Sequence, residues 1–221
     1  MSDYMEMNFV KWIGHASFLI EGKQTIYIDP FKLSKNFGVA DIIFITHSHF
    51  DHLSVSDISK IAGPSTIVIA PGEAKEKLKD FNVFAVEPQK KYDIKEIEFE
   101  TIPAYNTKKE RLGFHPKSNG WVGYVINVNS KSIYHAGDTD KVIEMQSIEC
   151  DLALLPAGGT YTMDANEASE AASIIKARYV APMHYKALLG KEGSAALEEK
   201  FRNDVKNSII LKEVQEPSYS F

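Results

Sequence analysis

Three histidines and one aspartate stand within residues 46–52, and their side chains are of the types that bind transition metals. In an extended segment alternate side chains share a face, so His47 and His49 can bind the same metal ion. Asp51 and His52 then turn toward a second ion. A solvated polar loop would explain each residue singly, but it does not explain the four together. The spacing therefore predicts a site for two adjacent divalent metal ions.

The secondary structure around this cluster decides where it lies. Residues 41–45 are apolar and rich in β-branched side chains, which predicts a buried strand with the cluster at its carboxyl end, where α/β sheets place binding sites. Ser54 or Ser56 is predicted to cap a helix that begins near Val55. Further strands are predicted at residues 9–13, 16–20, 25–28, 66–70, 84–86, 97–102, 121–126, 132–134, 152–155, 179–183 and 208–211, and further helices at 73–79, 165–176 and 195–202.

Residues 47–52 resemble the HxHxDH signature of the metallo-β-lactamase superfamily, and further landmarks of that family follow in order. Residues 12–18 and 28–30 are similar to its opening hairpin. Residues 134–140 resemble the turn that carries its bridging aspartate, and residues 181–185 resemble the strand end that carries its last histidine ligand. The resemblance implies an α+β fold, a four-layer αββα sandwich with two mixed β-sheets. It points to the branch that includes the L-ascorbate-6-phosphate lactonases and the N-acyl-phosphatidylethanolamine phospholipases D.

The resemblance also implies a set of metal ligands for two divalent ions, with Zn favoured and Mn or Fe as alternatives. The first ion would be bound by His47 and His49, the second by Asp51, His52 and His184, and Asp138 would bridge the two. Asp51 would lie beside the attacking hydroxide and is therefore also a candidate proton acceptor.

The third ligand of the first ion departs from the family pattern. Relatives of the branch carry a histidine in a Pro-Ala-x-His segment, whereas this chain has Asn106 in that place. Asn106 could bind weakly through its amide oxygen, or His115 could fold back and act as the displaced ligand. His115 is equally a candidate for contacting the substrate or for being a plain loop histidine. Fewer imidazoles and more oxygen ligands would shift the preference from Zn toward Mn or Fe.

Three other residues are expected to lie near the metal ligands. Asp29 resembles the family aspartate that orients a ligand histidine through a hydrogen bond. His15 is predicted to hydrogen-bond the substrate or a ligand, with a buried core histidine as the alternative. His135 precedes Asp138, and strand alternation would leave it pointing away from the metals if Asp138 points toward them.

The predicted substrate-binding residues lie in two loops. Residues 106–119 concentrate Lys108, Lys109, Arg111 and Lys117, so Asn106 and Lys117 are expected to face an anionic substrate, with a solvated loop as the alternative. Residues 156–163 lie between a strand and a helix. Their glycines could let backbone amides approach a phosphate or carboxylate, and Gly158, Gly159 and Tyr161 are the predicted contacts there.

Bulk properties narrow the class of protein. The chain has 221 residues, of which 44% are hydrophobic, and this length fits one domain over residues 1–221. A net charge of -5 argues against binding nucleic acid. Cys150 is the single cysteine, which suits a reducing compartment, and no export signal or run of about 20 apolar residues is present. A cytoplasmic protein without a membrane span is therefore predicted, and a homo-oligomer stays open.

These observations predict a hydrolase. A metal-bound hydroxide would attack a phosphodiester, a lactone or another ester in a small, anionic substrate. The alternative is a nonenzymatic sensor of metal ions or anions that kept the fold and lost turnover through the change at Asn106. Asp51 and Asp138 argue against the sensor, because a sensor needs no carboxylates that generate hydroxide.

Overall fold

The computed structural model describes residues 6–35 and 37–216, and it divides into two compact units. Among the described residues, unit 1 contains 6–35, 37–85 and 211–216, and unit 2 contains 86–210. These residues form two sheets of six strands each, and both sheets mix parallel with antiparallel pairing. The predicted pair of mixed sheets is confirmed. The single domain over residues 1–221 stays a prediction.

Unit 1 carries a sheet whose strands lie in chain order. Its elements are β1 (Val10–Gly14), β2 (Ser17–Glu21), β3 (Thr25–Ile28), β4 (Ala40–Phe44), α1 (Val55–Ile61), β5 (Ala62–Pro71), a 3-10 helix (Gly72–Glu76) and β6 (Val83–Val86). Antiparallel pairing joins β1 to β2 and β2 to β3. Parallel pairing joins β3 to β4 and β4 to β5, so the carboxyl ends of these three strands lie at one edge of the sheet.

Apolar side chains on one face of this sheet form a buried cluster with α1. Tyr27 on β3, Ile43 on β4 and Val68 on β5 are fully buried, and Ile58 of α1 packs in the same cluster. Each buried side chain of this size contributes about 1.5–3 kcal/mol to folding. The cluster therefore fixes the ends of β3 and β4, from which the loops of the candidate site begin.

Unit 2 carries the second sheet. Its elements are β7 (Lys91–Ile94), β8 (Ile97–Pro103), β9 (Val122–Val128), β10 (Lys131–His135), β11 (Glu149–Pro156), α2 (Ala165–Ile174), β12 (Lys176–Met183) and α3 (Lys186–Asp204), with 3-10 helices at Lys117–Asn119 and Ile143–Ser147. The strand order is β12-β11-β10-β9-β8-β7. Parallel pairing of β10, β11 and β12 places their carboxyl ends at one edge.

The helices of unit 2 match the sequence patterns in part. Asp164 and Glu167 form a capping box at the start of α2. The helix ends at Ile174 instead of residue 176, because the next residues are extended and enter β12. The range α3 consists of two helical segments on either side of Gly190, whose φ of 65° is not helical. The predicted helix 195–202 lies within the second segment.

One strand was not predicted, and two predicted elements differ from the structure. The edge strand β7 was not predicted, because only every second residue is partly buried and its composition is polar. The predicted helix at 73–79 is the 3-10 helix Gly72–Glu76. The predicted strand at 208–211 is reduced to a single bridge between Val180 and Ser208. Among the described residues, no helix is both long and apolar enough to cross a membrane.

Candidate metal centre

The loop that contains the histidine cluster is short and anchored at both ends. It follows β4 directly, and the backbone N–H groups of His52 and Leu53 donate to the carbonyl of His49 at 3.1 and 2.8 Å. The side chain of Ser54 then accepts from the N–H of Asp57 and caps α1, as predicted. The loop has little freedom, so its side chains point in fixed directions.

Asp29 is the buried centre of hydrogen bonding at this end of unit 1. It stands directly after β3 with a φ of 45°, and it is fully buried. Its Oδ1 accepts from the backbone N–H of Thr46 at 2.8 Å, and its Oδ2 accepts from the hydroxyl of Thr46 at 2.6 Å. Oδ2 also lies 2.7 Å from Nδ1 of His52. Because a carboxylate only accepts, His52 carries its proton on Nδ1 and presents the lone pair of Nε2.

Thr46 extends the same arrangement to His47. Its hydroxyl donates to Asp29, so its oxygen accepts from Nδ1 of His47, which lies 2.9 Å away. Nε2 of His47 then lies 3.1 Å from Nδ1 of His49. The rings of His47 and His52 are 4.0 Å apart between centroids. One aspartate therefore orients two neighbouring histidines, one directly and one through a threonine.

Asp51 and His15 form a second pair in unit 1. Nε2 of His15 lies 2.9 Å from Oδ2 of Asp51, and the same oxygen lies 3.8 Å from Nε2 of His52. His15, Asp51 and His52 offer ligand atoms that all lie within 4.8 Å of one another. The backbone carbonyl of His15 accepts from the indole N–H of Trp12 at 2.9 Å, which fixes the turn after β1. His15 thus contacts a predicted ligand rather than lying among core residues.

The ligand candidates of unit 2 meet at the carboxyl ends of its parallel strands. Asp138 follows β10, and His184 follows β12 with a φ of 56°. Oδ2 of Asp138 lies 3.2 Å from Nε2 of His184 and 3.3 Å from Nε2 of His115. All three side chains are buried. The structure therefore brings His115 beside Asp138, although His115 lies on a long loop.

Asn106 holds His115 in place. Its amide nitrogen donates to Oδ1 of Asp140 and to the carbonyl of Tyr161, both at 3.1 Å. Its amide oxygen accepts from the backbone N–H of His115 at 3.0 Å and lies 2.9 Å from Nδ1 of the same residue. Asn106 is itself buried. The structure thus places Asn106 behind His115.

Gly158 and Gly159 also have roles in holding the backbone. A Cβ at Gly158 would lie 2.4 Å from the carbonyl oxygen of His184, so no larger residue fits without moving the chain there. The N–H of Gly159 donates to the carbonyl of Met163 at 3.0 Å. Tyr161 is partly exposed, and its ring meets Phe114 edge to face at 4.9 Å. Among the three predicted contacts in this loop, Tyr161 is the one whose side chain is exposed.

His135 is buried at the end of β10. The backbone N–H of Gly137 donates to its Nδ1 at 3.2 Å. Nδ1 of His135 is therefore an acceptor within the turn that leads to Asp138.

The cations of the loop 106–119 are largely neutralised within unit 2. Arg111 is buried, donates to both carboxylate oxygens of Glu167 at 2.7 and 2.8 Å, and lies 3.1 Å from Asp140. Burial alone would raise the pKa of Glu167, but hydrogen bonds from Arg111 and Lys108 prevail and lower this pKa to about 2. Lys117 pairs with Glu144 at 3.1 Å. This loop therefore supplies little net positive charge.

Cys150 is buried on β11. Burial raises the pKa of its thiol to about 12, so the thiolate form is scarce at neutral pH. The residue is suited to packing and not to nucleophilic attack.

The donor atoms within each unit fit a divalent transition metal. A tetrahedral ion with bonds of about 2.0–2.1 Å places neighbouring donor atoms about 3.4 Å apart. The spacings around Asp138 are 3.2 and 3.3 Å, and the spacing between His47 and His49 is 3.1 Å. The donors are imidazole nitrogens and carboxylate oxygens, the set that Zn, Mn and Fe accept.

Two residues of this arrangement were not predicted individually from the sequence. Thr46 joins Asp29 to His47, and Asp140 joins Asn106 to Arg111. A signal was present for both, since Thr46 stands directly before the first histidine and Asp140 stands two residues after Asp138. Their roles depend on contacts between residues that are distant in the chain.

The family of the chain follows from comparison with known proteins. The model of a family described as Beta-lactamase superfamily domain matches residues 9–184, which is more than half of the chain. The chain therefore belongs to the β-lactamase superfamily.

Its relatives define the family more narrowly. A UPF0173 metal-dependent hydrolase of Pyrococcus furiosus is 35% identical over 195 residues, covering 80% of this chain and 84% of the relative. Another of the same name, from Thermoplasma volcanium, is 32% identical over 220 residues, covering 93% and 96%. The chain is thus a member of the UPF0173 family of metal-dependent hydrolases.

Solved structures confirm the predicted metallo-β-lactamase fold. A crystal structure of a protein from Parabacteroides distasonis has a TM-score of 0.80 at 29% identity and covers 93% of each chain. A metallo hydrolase from Ignicoccus hospitalis has a TM-score of 0.74 at 24% identity, covering 94% and 95%, and shows likeness of fold. The branch of lactonases and phospholipases D stays a prediction.

Proposed function

We propose that the chain binds two divalent metal ions and hydrolyses a phosphodiester, a lactone or another ester in a small, anionic molecule. The observation that carries this proposal is the position of Asp138, whose Oδ2 lies 3.2 and 3.3 Å from the Nε2 atoms of two buried histidines. Membership in a family of metal-dependent hydrolases supports the same conclusion.

Each ligand has a proposed role. In this proposal the first ion would be held by His47, His49 and His115, the second would be held by Asp51, His52 and His184, and Asp138 would serve both. The first ion would then have imidazole ligands, because His115 takes the place of the family histidine that this chain replaces with Asn106. Imidazole-rich sites favour Zn, so we propose Zn for this centre ahead of Mn or Fe.

When bound, the metal ions acidify water so that a nucleophile forms at neutral pH, and they polarise the bond that is attacked. The protein's own residues orient the ligands and move the proton. Asp29 keeps the lone pairs of two histidines available, as described above. Asp51 is proposed to accept the proton of the attacking water, and the hydrogen bond from His15 at 2.9 Å keeps its carboxylate in position.

The substrate is proposed to be anionic because the metal ions would attract it. The loop cations contribute less, since Arg111 and Lys117 already pair with carboxylates. Tyr161 and Lys117 are the accessible residues among those expected to contact substrate. We further propose that the protein works in the cytoplasm, because its buried thiol suits a reducing compartment.

The test is metal content and ester hydrolysis in the same preparations. We expect two metal ions per chain, with at least one lost in Asp138→Asn. Turnover of a phosphodiester or lactone should fall at least about 100-fold in Asp51→Asn. Asp41→Asn and Asp151→Asn are the matched controls in units 1 and 2, because these carboxylates bond to backbone N–H groups outside the centre.

Two outcomes would contradict the proposal. A chain that binds no divalent metal under any loading condition has no such centre. A chain that binds two ions, but turns over no phosphodiester, lactone or ester, would favour the nonenzymatic sensor.

A further inference from the structure

The orientation of the Asn106 amide is determined by its neighbours. One end of the amide lies 3.1 Å from a carboxylate oxygen of Asp140 and 3.1 Å from the carbonyl oxygen of Tyr161. Both of these atoms accept hydrogen bonds, so this end must be the NH₂ group. The other end lies 3.0 Å from the backbone N–H of His115, which only donates, so this end must be the oxygen.

The amide oxygen in turn determines the proton position on His115. It lies 2.9 Å from Nδ1 of the imidazole, and an amide oxygen carries no hydrogen. Nδ1 must therefore be the donor in this bond. In a neutral imidazole the second nitrogen, Nε2, then has the free lone pair.

Nε2 of His115 lies beside the carboxylate of Asp138. Nε2 of His115 and Nε2 of His184 both lie close to the same oxygen, at 3.3 and 3.2 Å. In the tautomer fixed by Asn106, Nε2 of His115 cannot donate to this oxygen. The 3.3 Å between Nε2 of His115 and Oδ2 of Asp138 is the spacing expected of two atoms that ligate a single cation.

We infer that Asn106 is a positioning residue that fixes the Nδ1–H tautomer of His115, so that Nε2 is the metal-binding atom. The role in metal binding rests on the proposed function, whereas the tautomer does not. In unit 1 a carboxylate, Asp29, acts on His52 in the same way. Unit 2 uses a neutral amide for this task.

The Asn106 amide cannot rotate by about 180° without losing its hydrogen bonds. Asp140 is held by Arg111 at 3.1 Å and accepts from the backbone N–H groups of Thr107 and Lys108 at 2.8 and 3.0 Å. A reversed amide would place its oxygen against two acceptors and its NH₂ group against the N–H of His115. The arrangement around Asp140 therefore maintains the tautomer of His115 through Asn106.

The experiment is nitrogen-15 NMR of the histidine rings in the full chain, both metal-free and loaded with zinc, at pH about 8.5, where a model imidazole is neutral. Long-range proton–nitrogen correlations distinguish Nδ1–H from Nε2–H. The His115→Gln variant identifies the signals of His115, because they alone disappear in it. Zinc affinity is measured in parallel by competition with a chelator.

Variants separate this role from a merely structural one. In Asn106→Ala we expect His115 to lose its single tautomer and zinc affinity at one site to fall about 10–100-fold. Asn106→Asp keeps one oxygen toward Nδ1 but places its other oxygen against the acceptors Asp140 and Tyr161, so its melting temperature should fall. It should nevertheless retain the tautomer and bind zinc within about threefold of wild type. Asn207→Ala is the control, because its amide bonds only to the carbonyls of Ala177 and Arg178.

The outcomes distinguish the inference from the proposed function. An Nε2–H signal at His115 in the metal-free wild type, or an unchanged tautomer in Asn106→Ala, would overturn the inference even if two zinc ions bind. A chain that binds no zinc but has Nδ1–H at His115 would overturn the metal centre and support the tautomer assignment.

Discussion

The two units bring their histidines together in different ways. In unit 1 four candidate ligands stand within residues 47–52, and one carboxylate, Asp29, orients two of them. In unit 2 the candidates His115, Asp138 and His184 are spread over 70 positions of the chain, and an amide and a buried ion pair hold one of them. When the candidate ligands are neighbours in the chain, one buried carboxylate is enough to orient them. When they are far apart in the chain, several hydrogen bonds and an ion pair are required to hold one of them.

The largest effect is expected from Asp29→Ala. It leaves the N–H and hydroxyl of Thr46 and Nδ1 of His52 without their shared acceptor in a fully buried place, which should cost about 4 kcal/mol of stability. Urea unfolding measures the loss. Asp29→Asn keeps one acceptor oxygen and should lose less. If both variants unfold at the wild-type midpoint, the hydrogen bonds of Asp29 do not stabilise the histidine loop of unit 1.

Arg111→Ala is expected to come next, with a loss of about 3 kcal/mol. It leaves the buried carboxylate of Asp140 and the partly buried carboxylate of Glu167 without the guanidinium that pairs with both. The Arg111→Lys variant keeps the charge but not the planar fork, so it should recover only part of the loss. Wild-type stability in Arg111→Ala would mean that the loop of unit 2 does not depend on this network.

Acid should weaken unit 2 through Glu167. Its pKa is lowered from 4.5 to about 2 in the folded chain, so its contribution is present above about pH 4.5 and is lost as the pH falls toward 2. The expected contribution is on the order of 2 kcal/mol, after allowance for its partial exposure. Unfolding midpoints of wild type and Glu167→Gln, compared between pH about 5 and about 2.5, measure it. Parallel pH profiles would contradict the prediction.

The smallest effect is expected from Lys117→Ala. Its ion pair with Glu144 is exposed on the lysine side, so the unfolding midpoint should stay close to that of the wild type. With an anionic ester the KM should rise about twofold, because one exposed cation contributes little. Lys91→Ala on β7 is the control for loss of a surface charge. A tenfold rise in KM would make Lys117 a principal substrate contact instead.

The sequence predicted the sheets and the location of the cluster because both depend on neighbours in the chain. Apolar runs predict strands such as β4. The spacing of His47, His49 and His52 can be read from consecutive residues. The edge strand β7 and residues 186–194 of α3 were missed, since polar composition and Gly190 conceal them. These features are stabilised by packing rather than by local preference.

The contacts behind the candidate ligands were less accessible to sequence reasoning. Asn106 and His115 could be singled out as departures from the family pattern, but the bond between them depends on how residues 106–119 fold. Asp140 bonds to Asn106 across 34 positions of the chain, and no periodicity signals such a bond. Metal binding by His115 stays a prediction.

His15, Asp29 and His184 share a left-handed backbone, with φ values of 52°, 45° and 56°. Residues with side chains adopt this conformation at a cost of about 1 kcal/mol or more, and glycine does so freely. At Asp29 the three hydrogen bonds of the carboxylate outweigh this cost, so stability and position favour the same residue. At His15 and His184 glycine would relieve the backbone, so under the proposed function variants selected only for heat resistance should drift toward glycine at these two positions and lose metal binding.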